Sequence, residues 1–218
     1  MVCSPEVYQE LAIGYLLSEG ILNDYEDLLK ISCDEQQQIV KVYTDKPWSS
    51  QKNTVYRQVN SCAGRGQQGL QPNSAGIEPS HKEPIFFSPE QIFAMVDELE
   101  KRGETFRLTG GTHSAALGYQ GQLLVSYEDI GRHNAVDKVF GYAFFHQIPL
   151  DDKCLVLSGR IASEILLKAA RRHIPLVISR SAATSLAVDL AEEMGITMVG
   201  FTRGDKFNIY CHPERIKI

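Results

Sequence analysis

The sequence contains no C-x-x-C pair, and its five cysteines (Cys3, Cys33, Cys62, Cys154 and Cys211) are an odd number. That argues against a disulfide framework and a zinc ribbon and for a reducing, cytoplasmic setting with no structural metal. Positive charge is not in excess: Lys plus Arg number 22 against 27 Asp plus Glu, a net charge of −5. No overall basic field invites nucleic acid, so any anion site has to be a local cluster. No apolar run approaches the ~18 residues of a membrane span. The opening MVCSPEVYQE lacks the basic and apolar regions of a signal peptide. No internal repeat is present. What remains is ordinary for a folded chain: 43% hydrophobic and 22% charged residues over 218 positions, with a mean hydropathy of −0.19. The length exceeds the ~150-residue single-domain prior and suits one large or two small domains.

Ser4-Pro5-Glu6 predicts a helix start, with Ser as N-cap and Pro at the first helical position. Val7, Leu11 and Tyr15, with Ala12 and Leu16 beside them, would share its buried face, and Gly20 would end it. Short β-like runs follow at 28–33, 38–44 and 53–59, read as a small antiparallel unit. Residues 60–84 are rich in Gly, Pro, Ser and Gln, and serve either as a linker or as a functional loop. A boundary near 84 divides the chain into an N-terminal lobe, 1–84, and an α/β body, 85–218. Ser88-Pro89-Glu90-Gln91 is a capping box leading into Ile92, Met95, Val96 and Leu99. A helix is expected after Thr109-Gly110-Gly111, then a strand at 122–128 and an amphipathic helix through Val136, Val139, Phe140, Ala143 and Phe144. From 153 onward strand and helix alternate: KCLVLS, PLVISR and ITMVGFT are near-continuous apolar strands separated by helices, the signature of parallel pairing.

Each of those strands ends in a hydroxyl residue and an arginine: Ser158-Gly159-Arg160, Ser179-Arg180-Ser181 and Thr202-Arg203-Gly204. Parallel strands share one carboxyl edge, where open α/β sheets bind ligands, and helix N-termini there add N–H donors suited to phosphate. Converging guanidiniums need an anion, or Glu and Asp partners, between them; scattered surface charges are the alternative. Thr109-Gly110-Gly111-Thr112-His113 adds a Gly-rich loop, or a plain tight turn. Glu128-Asp129-Ile130-Gly131-Arg132-His133-Asn134 adds a polar rim, or a helix cap by Asp129. His113 and His133 are candidate acid–base or ligand contacts.

Cys62 stands apart from the other thiols. Cys33, Cys154 and Cys211 lie in apolar β-like runs and Cys3 is close to the chain start, whereas Cys62 occupies the polar stretch SCAGRG with Arg65 nearby. A neighbouring cation lowers a thiol pKa and raises its thiolate fraction.

Five stretches together, LAIGYLLSEGIL (11–22), TGGTHSAAL (109–117), EDIGRHNAVDKVFG (128–141), LSGRIASEILLKAA (157–170) and SRSAATSLAVDLAEEMGITMVGFTRG (179–204), resemble the FdhD family of formate dehydrogenase accessory sulfurtransferases. The resemblance spans most of residues 3–211. It implies a cytidine-deaminase-like α/β domain, a mixed sheet with covering helices, carrying a smaller N-terminal α+β lobe, as a homodimer. It implies sulfur taken from a cysteine desulfurase as a persulfide on Cys62. The sulfur would pass to the molybdenum (or tungsten) bis-pterin guanine dinucleotide cofactor, held as cargo and destined for the formate dehydrogenase catalytic subunit. The arginine edge suits that cargo's pyrophosphates. The family loop carries C-G-x-C-G, and here Arg65 occupies the place of the second cysteine; the sequence before Ser4 is also shorter than usual. A non-catalytic cofactor-binding chaperone is therefore a second reading. A zinc deaminase is a third that the residues reject, because the P-C-x-x-C pair is missing.

Overall fold

The structure is a computed structural model that describes residues 1–45 and 85–217. The expected strand at 53–59, the stretch 60–84 and Cys62 all lie outside the described residues. The chain-order elements are α1 (Tyr8–Ser18), β1 (Leu28–Asp34), β2 (Ile39–Thr44), α2 (Pro89–Arg102), α3 (Glu104–Thr109), β3 (His113–Tyr119), β4 (Gln122–Asp129), α4 (Arg132–Phe145), β5 (Cys154–Leu157), α5 (Ser163–Arg171), β6 (Leu176–Ser179), α6 (Ser185–Glu193), β7 (Thr197–Arg203) and β8 (Lys206–Cys211). β1 and β2 pair antiparallel as a separate two-stranded sheet. The main sheet has six strands in the order β4-β3-β5-β6-β7-β8. Its centre, β5-β6-β7, is parallel, and the strands on either side of that centre are antiparallel. Every residue of β5 and β6 is buried, which is why these strands read as unbroken apolar runs rather than alternating ones.

α2 covers one face of the sheet, packing Ile92, Met95, Val96 and Leu99 over Ala116, Val156, Ile178 and Val199. Its capping box forms as expected: Ser88 Oγ accepts from Gln91 N at 3.3 Å and the Gln91 side chain accepts from Ser88 N at 2.9 Å. α4, α5 and α6 cover the other face around Val136, Phe140, Ile165, Leu166 and Ala187. α1 crosses the outside of α4, with Ile13 and Leu17 packed against Phe144 and, beyond them, Leu28, Ile31 and Val42 of the hairpin. At that crossing the two backbones touch. A Cβ on Gly14 would lie 1.7 Å from the Asp137 carbonyl oxygen, and one on Gly141 would lie 1.9 Å from that of Glu10.

Two local expectations are corrected. The segment after Gly111 is a strand, β3, and the helix precedes it: α3 ends at Gly110, whose φ of 65° breaks the helical run. Ala115, Ala116 and Leu117 have helical propensity, but β3 lies between β4 and β5 and is buried on both faces. Tertiary pairing overrides the local preference there. Small residues are required because α2 lies close above: a Cβ on Gly118 would sit 2.5 Å from Met95 Sδ.

The second correction concerns the chain start. α1 begins at Tyr8, with Val7 at φ 47° as its N-cap residue, and Ser4 caps nothing. Ser4 N donates to Asp129 Oδ2 at 3.0 Å and its hydroxyl accepts from Ile130 N. The most buried side of α1 carries Leu11, Ile13, Gly14 and Leu17, while Ala12, Tyr15 and Leu16 face a cleft shared with the hairpin. Flanked by α4 on one side and the hairpin on the other, α1 is apolar nearly all round, so periodicity cannot choose its face.

Candidate anion-binding edge

The carboxyl ends of β5, β6 and β7 bring Ser158-Arg160, Ser179-Ser181 and Thr202-Arg203 to one edge of the sheet. β3 runs antiparallel to β5 with Ala115 opposite Leu157, so its first residue, His113, enters at this same edge. Ser158 N donates to Ser114 O at 3.0 Å and Ser114 N to Ser158 Oγ at 2.9 Å, which extends the pairing and commits the Ser158 hydroxyl. β4 ends opposite His113 at Asp129, and α4 therefore begins here with Arg132.

These placements assemble a small cationic group. A Cβ on Gly159 would lie 3.1 Å from His113 Nδ1, tighter than an ordinary contact, and at an ordinary 3.8 Å from Arg132 Cβ, so glycine eases the approach of the β5 end to the His113 ring. The half-buried His113 ring is held below its ordinary pKa by burial and by the nearby Arg132 and Arg160 guanidiniums, which favours neutral imidazole. Arg132 Nε is buried and has no hydrogen-bond partner among the described residues. Arg160 is exposed.

Arg180 and Arg203 make a separate group. Arg203 Nε donates to the Arg180 carbonyl at 3.2 Å, and Arg180 forms an ion pair with Glu100 of α2. Glu100 was not legible beforehand: nothing in the sequence connects a residue in the last turn of α2 with the end of β6. Thr202 is 2% exposed and its buried hydroxyl oxygen has no partner among the described residues. It lines a small hollow with Phe93, Asp97, Glu100, Arg180, Arg203 and Gly204. The Ser179 hydroxyl donates to Gly159 O at 2.7 Å and accepts from Ser181 N at 2.9 Å, tying the β5 and β6 ends together.

The neighbouring loops are held by carboxylates. Asp129 is fully buried and accepts from Gly131 N and Asn134 Nδ2, both at 2.9 Å, while ion-pairing with the equally buried Lys138 at 2.8 Å. Lys138 also donates to the Glu128 carbonyl at 3.1 Å. Glu128 accepts from Thr105 N, Phe106 N and the Thr112 hydroxyl, each at 2.8 Å. Burial works to raise its pKa, but these bonds hold it below the usual carboxylate range. Glu128 and Asp129 thus fix the rim rather than line it. Gly110 and Gly111 are exposed, with Gly111 N donating to Thr109 Oγ1. His133 is half-buried. Burial raises the Cys154 thiol pKa, and likewise pushes that of Cys211 up to about 11, which makes both poor nucleophiles.

A six-stranded mixed sheet covered by helices on both faces, with cationic side chains at the carboxyl edge of its parallel strands, defines the class: a mixed α/β protein. The FdhD/NarQ family model matches residues 1–217, and the chain belongs to that family. It is 41% identical over 219 residues to the sulfur carrier protein FdhD of Bacillus pumilus, covering 99% of this chain and 83% of the relative. It is 40% identical over 218 residues to the protein of the same name from Bacillus subtilis, covering 100% of this chain and 83% of the relative. Among solved structures it is similar to a protein from Desulfotalea psychrophila provisionally described as a formate dehydrogenase accessory protein. That match has a TM-score of 0.77 and 25% identity, covering 99% of this chain and 81% of the other.

Proposed function

We propose that this protein is a sulfur carrier for formate dehydrogenase maturation. Cys62 accepts sulfur from a cysteine desulfurase as a persulfide. The sulfur then passes to a molybdenum or tungsten bis-pterin guanine dinucleotide held along the sheet edge. Family membership and the relatives' names support the general role. The observation that carries the binding half is the edge itself, where His113 and Arg132 lie beside Gly159, next to Arg160, and the buried Arg132 Nε has no partner among the described residues. Arg180, Arg203, Ser181 and the Thr202 hydroxyl extend it on the α2 side. In this reading the protein works in the cytoplasm as a homodimer and meets two partners in turn, the sulfur donor and the formate dehydrogenase catalytic subunit.

Sulfur transfer to Cys62 needs no outside oxidant. The thiolate attacks the terminal sulfur of the donor's persulfide, a sulfur–sulfur bond forms at Cys62, and the donor's thiolate leaves. Replacement of the second loop cysteine by Arg65 favours a second reading, a chaperone that binds the cofactor without carrying sulfur. Mass spectrometry after incubation with a cysteine desulfurase and cysteine separates the two. A mass gain of one sulfur mapped to Cys62 and lost in Cys62→Ala supports the carrier. No adduct, together with full maturation activity in Cys62→Ala, selects the chaperone.

A further inference from the structure

We propose that the hollow between α2 and the ends of β6 and β7 reads an aminopyrimidinone ring, with Asp97 as the carboxylate that accepts from it. Guanine and pterin both carry that ring. The inference rests on the reading above, that a bis-pterin guanine dinucleotide lies along this edge, and it assigns the hollow to a heterocycle rather than to the phosphates.

Charge balance separates this hollow from the rest of the edge. It has a volume of about 60 Å³ and is lined by Asp97 and Glu100 from α2 and by Arg180, Thr202 and Arg203 from the sheet. Two carboxylates and two guanidiniums cancel in formal charge. Glu100 is ion-paired with Arg180, and Arg203 Nε is turned onto the Arg180 carbonyl at 3.2 Å. A phosphate entering here meets two carboxylates, and like charges at close range oppose it. Near Arg132 the carboxylates are already taken up: Asp129 by Lys138 and Asn134, and Glu128 by Thr105, Phe106 and Thr112. Phosphates suit that end of the edge, and a neutral polar group suits the hollow.

The groups left over in the hollow say which neutral group. Among the described residues Asp97 makes no hydrogen bond or ion pair, although Glu100, one turn further along the same side of α2, is paired. Thr202 is 2% exposed, and its buried hydroxyl oxygen has no partner among those residues either. An unpaired carboxylate and a buried hydroxyl therefore line one space. An aminopyrimidinone offers their complement along a single edge. Its two adjacent N–H donors can be accepted together by a carboxylate, and its carbonyl oxygen can accept from a hydroxyl. Phe93 and Val96 add an apolar wall, and Phe93 is held against Phe207 with ring centroids 5.3 Å apart. The hollow admits the edge of such a ring and not a whole nucleotide, which leaves the ribose and phosphates to run along the strand ends.

The test compares ligands that differ at the exocyclic amino group: GDP against inosine diphosphate, and pterin against lumazine. Calorimetry is expected to show a preference of about tenfold or more for the amino compound in at least one pair, as a hydrogen bond to a charged acceptor provides. The pair that shows it identifies the ring as guanine or as pterin. In Asp97→Asn the preference should fall towards unity, because an amide presents one acceptor and a donor where the carboxylate presents two acceptors. Glu100→Gln frees Arg180, so it should tighten GDP and inosine diphosphate alike and leave the preference intact. Both side chains are exposed, so both variants should unfold in urea at the midpoint of the unaltered protein. Equal binding within both ligand pairs overturns the proposal. So does a preference that survives Asp97→Asn, or one lost only in Glu100→Gln. Failure of GDP and pterin to bind at all overturns the reading of the edge, and the inference falls with it.

Discussion

Placing a methyl group at the α1–α4 crossing should cost more than its size suggests, and two such methyls should cost little more than one. A Cβ on Gly141 would lie 1.9 Å from the Glu10 carbonyl oxygen, and one on Gly14 would lie 1.7 Å from that of Asp137. Ordinary contact distances begin near ~3.5 Å, so either Gly→Ala change forces the helices apart by roughly 1.5 Å. Ile13, Leu17 and Phe144 are buried in that interface. A gap of that order forfeits about half of each contact, and full burial of such a side chain contributes about 1.5–3 kcal/mol. The sum is roughly 2–4 kcal/mol for either single variant, within the upper range seen for overpacking. Because both changes open the same interface, Gly14→Ala with Gly141→Ala should cost little beyond the larger single effect. The assay is urea unfolding of the two single variants and the double variant. Each single change is expected to lower the midpoint by about 1 M or more, given slopes of 1–3 kcal/mol per molar. Additivity within ~0.5 kcal/mol, the behaviour of independent sites, would refute the shared-interface argument, as would single costs below that figure.

Lys138→Met should destabilise the fold by about 3–5 kcal/mol, because it strands the buried Asp129 charge. Pairing it with Asp129→Asn should recover part of that loss, and equal stability of Lys138→Met and the unaltered protein in urea would defeat the account. Glu128 gives an acid-side signature. Its folded pKa is depressed below the ordinary 4.5, so its contribution is present above that value and is lost as pH falls through the folded one. The stability curve of Glu128→Gln should therefore be flatter on the acid side, and an unchanged slope would show that its hydrogen bonds do not discriminate charge.

The parts of this fold legible in the sequence are those where one physical rule acts alone. β5 and β6 are buried on both faces, so their apolar runs are unbroken, and the capping box of α2 needs only four consecutive residues. β3 was missed because an Ala-Ala-Leu segment reads as helix until its two neighbouring strands are known. α1 was displaced because Ser4 is recruited across the chain by Asp129 instead of capping locally. Parallel alternation correctly placed the ends of β5, β6 and β7 at one edge, and strand order brings His113 and Arg132, both named from the sequence as rim candidates, to that same edge. How the arginines sort was not legible. The Arg180–Glu100 pair depends on how α2 lies over the sheet. Lys138 and Lys168 look like solvated helix residues in a one-dimensional pattern, yet each is buried against an aspartate whose position only the tertiary structure supplies.

One carboxylate has a mechanical role that follows from its two oxygens. Asp129 Oδ1 holds the start of α4 through Gly131 and Asn134, while Oδ2 holds Ser4 and Lys138. The Asn134 amide also donates to Val2 O at 2.8 Å. Residues 2–4 and the turn that presents Arg132 are therefore riveted to the same atom group, though more than a hundred positions separate them. A pull on the first segment strips hydrogen bonds from a buried charge and is felt at the turn. The two should gain or lose protection from amide exchange together, as one unit joined across the chain.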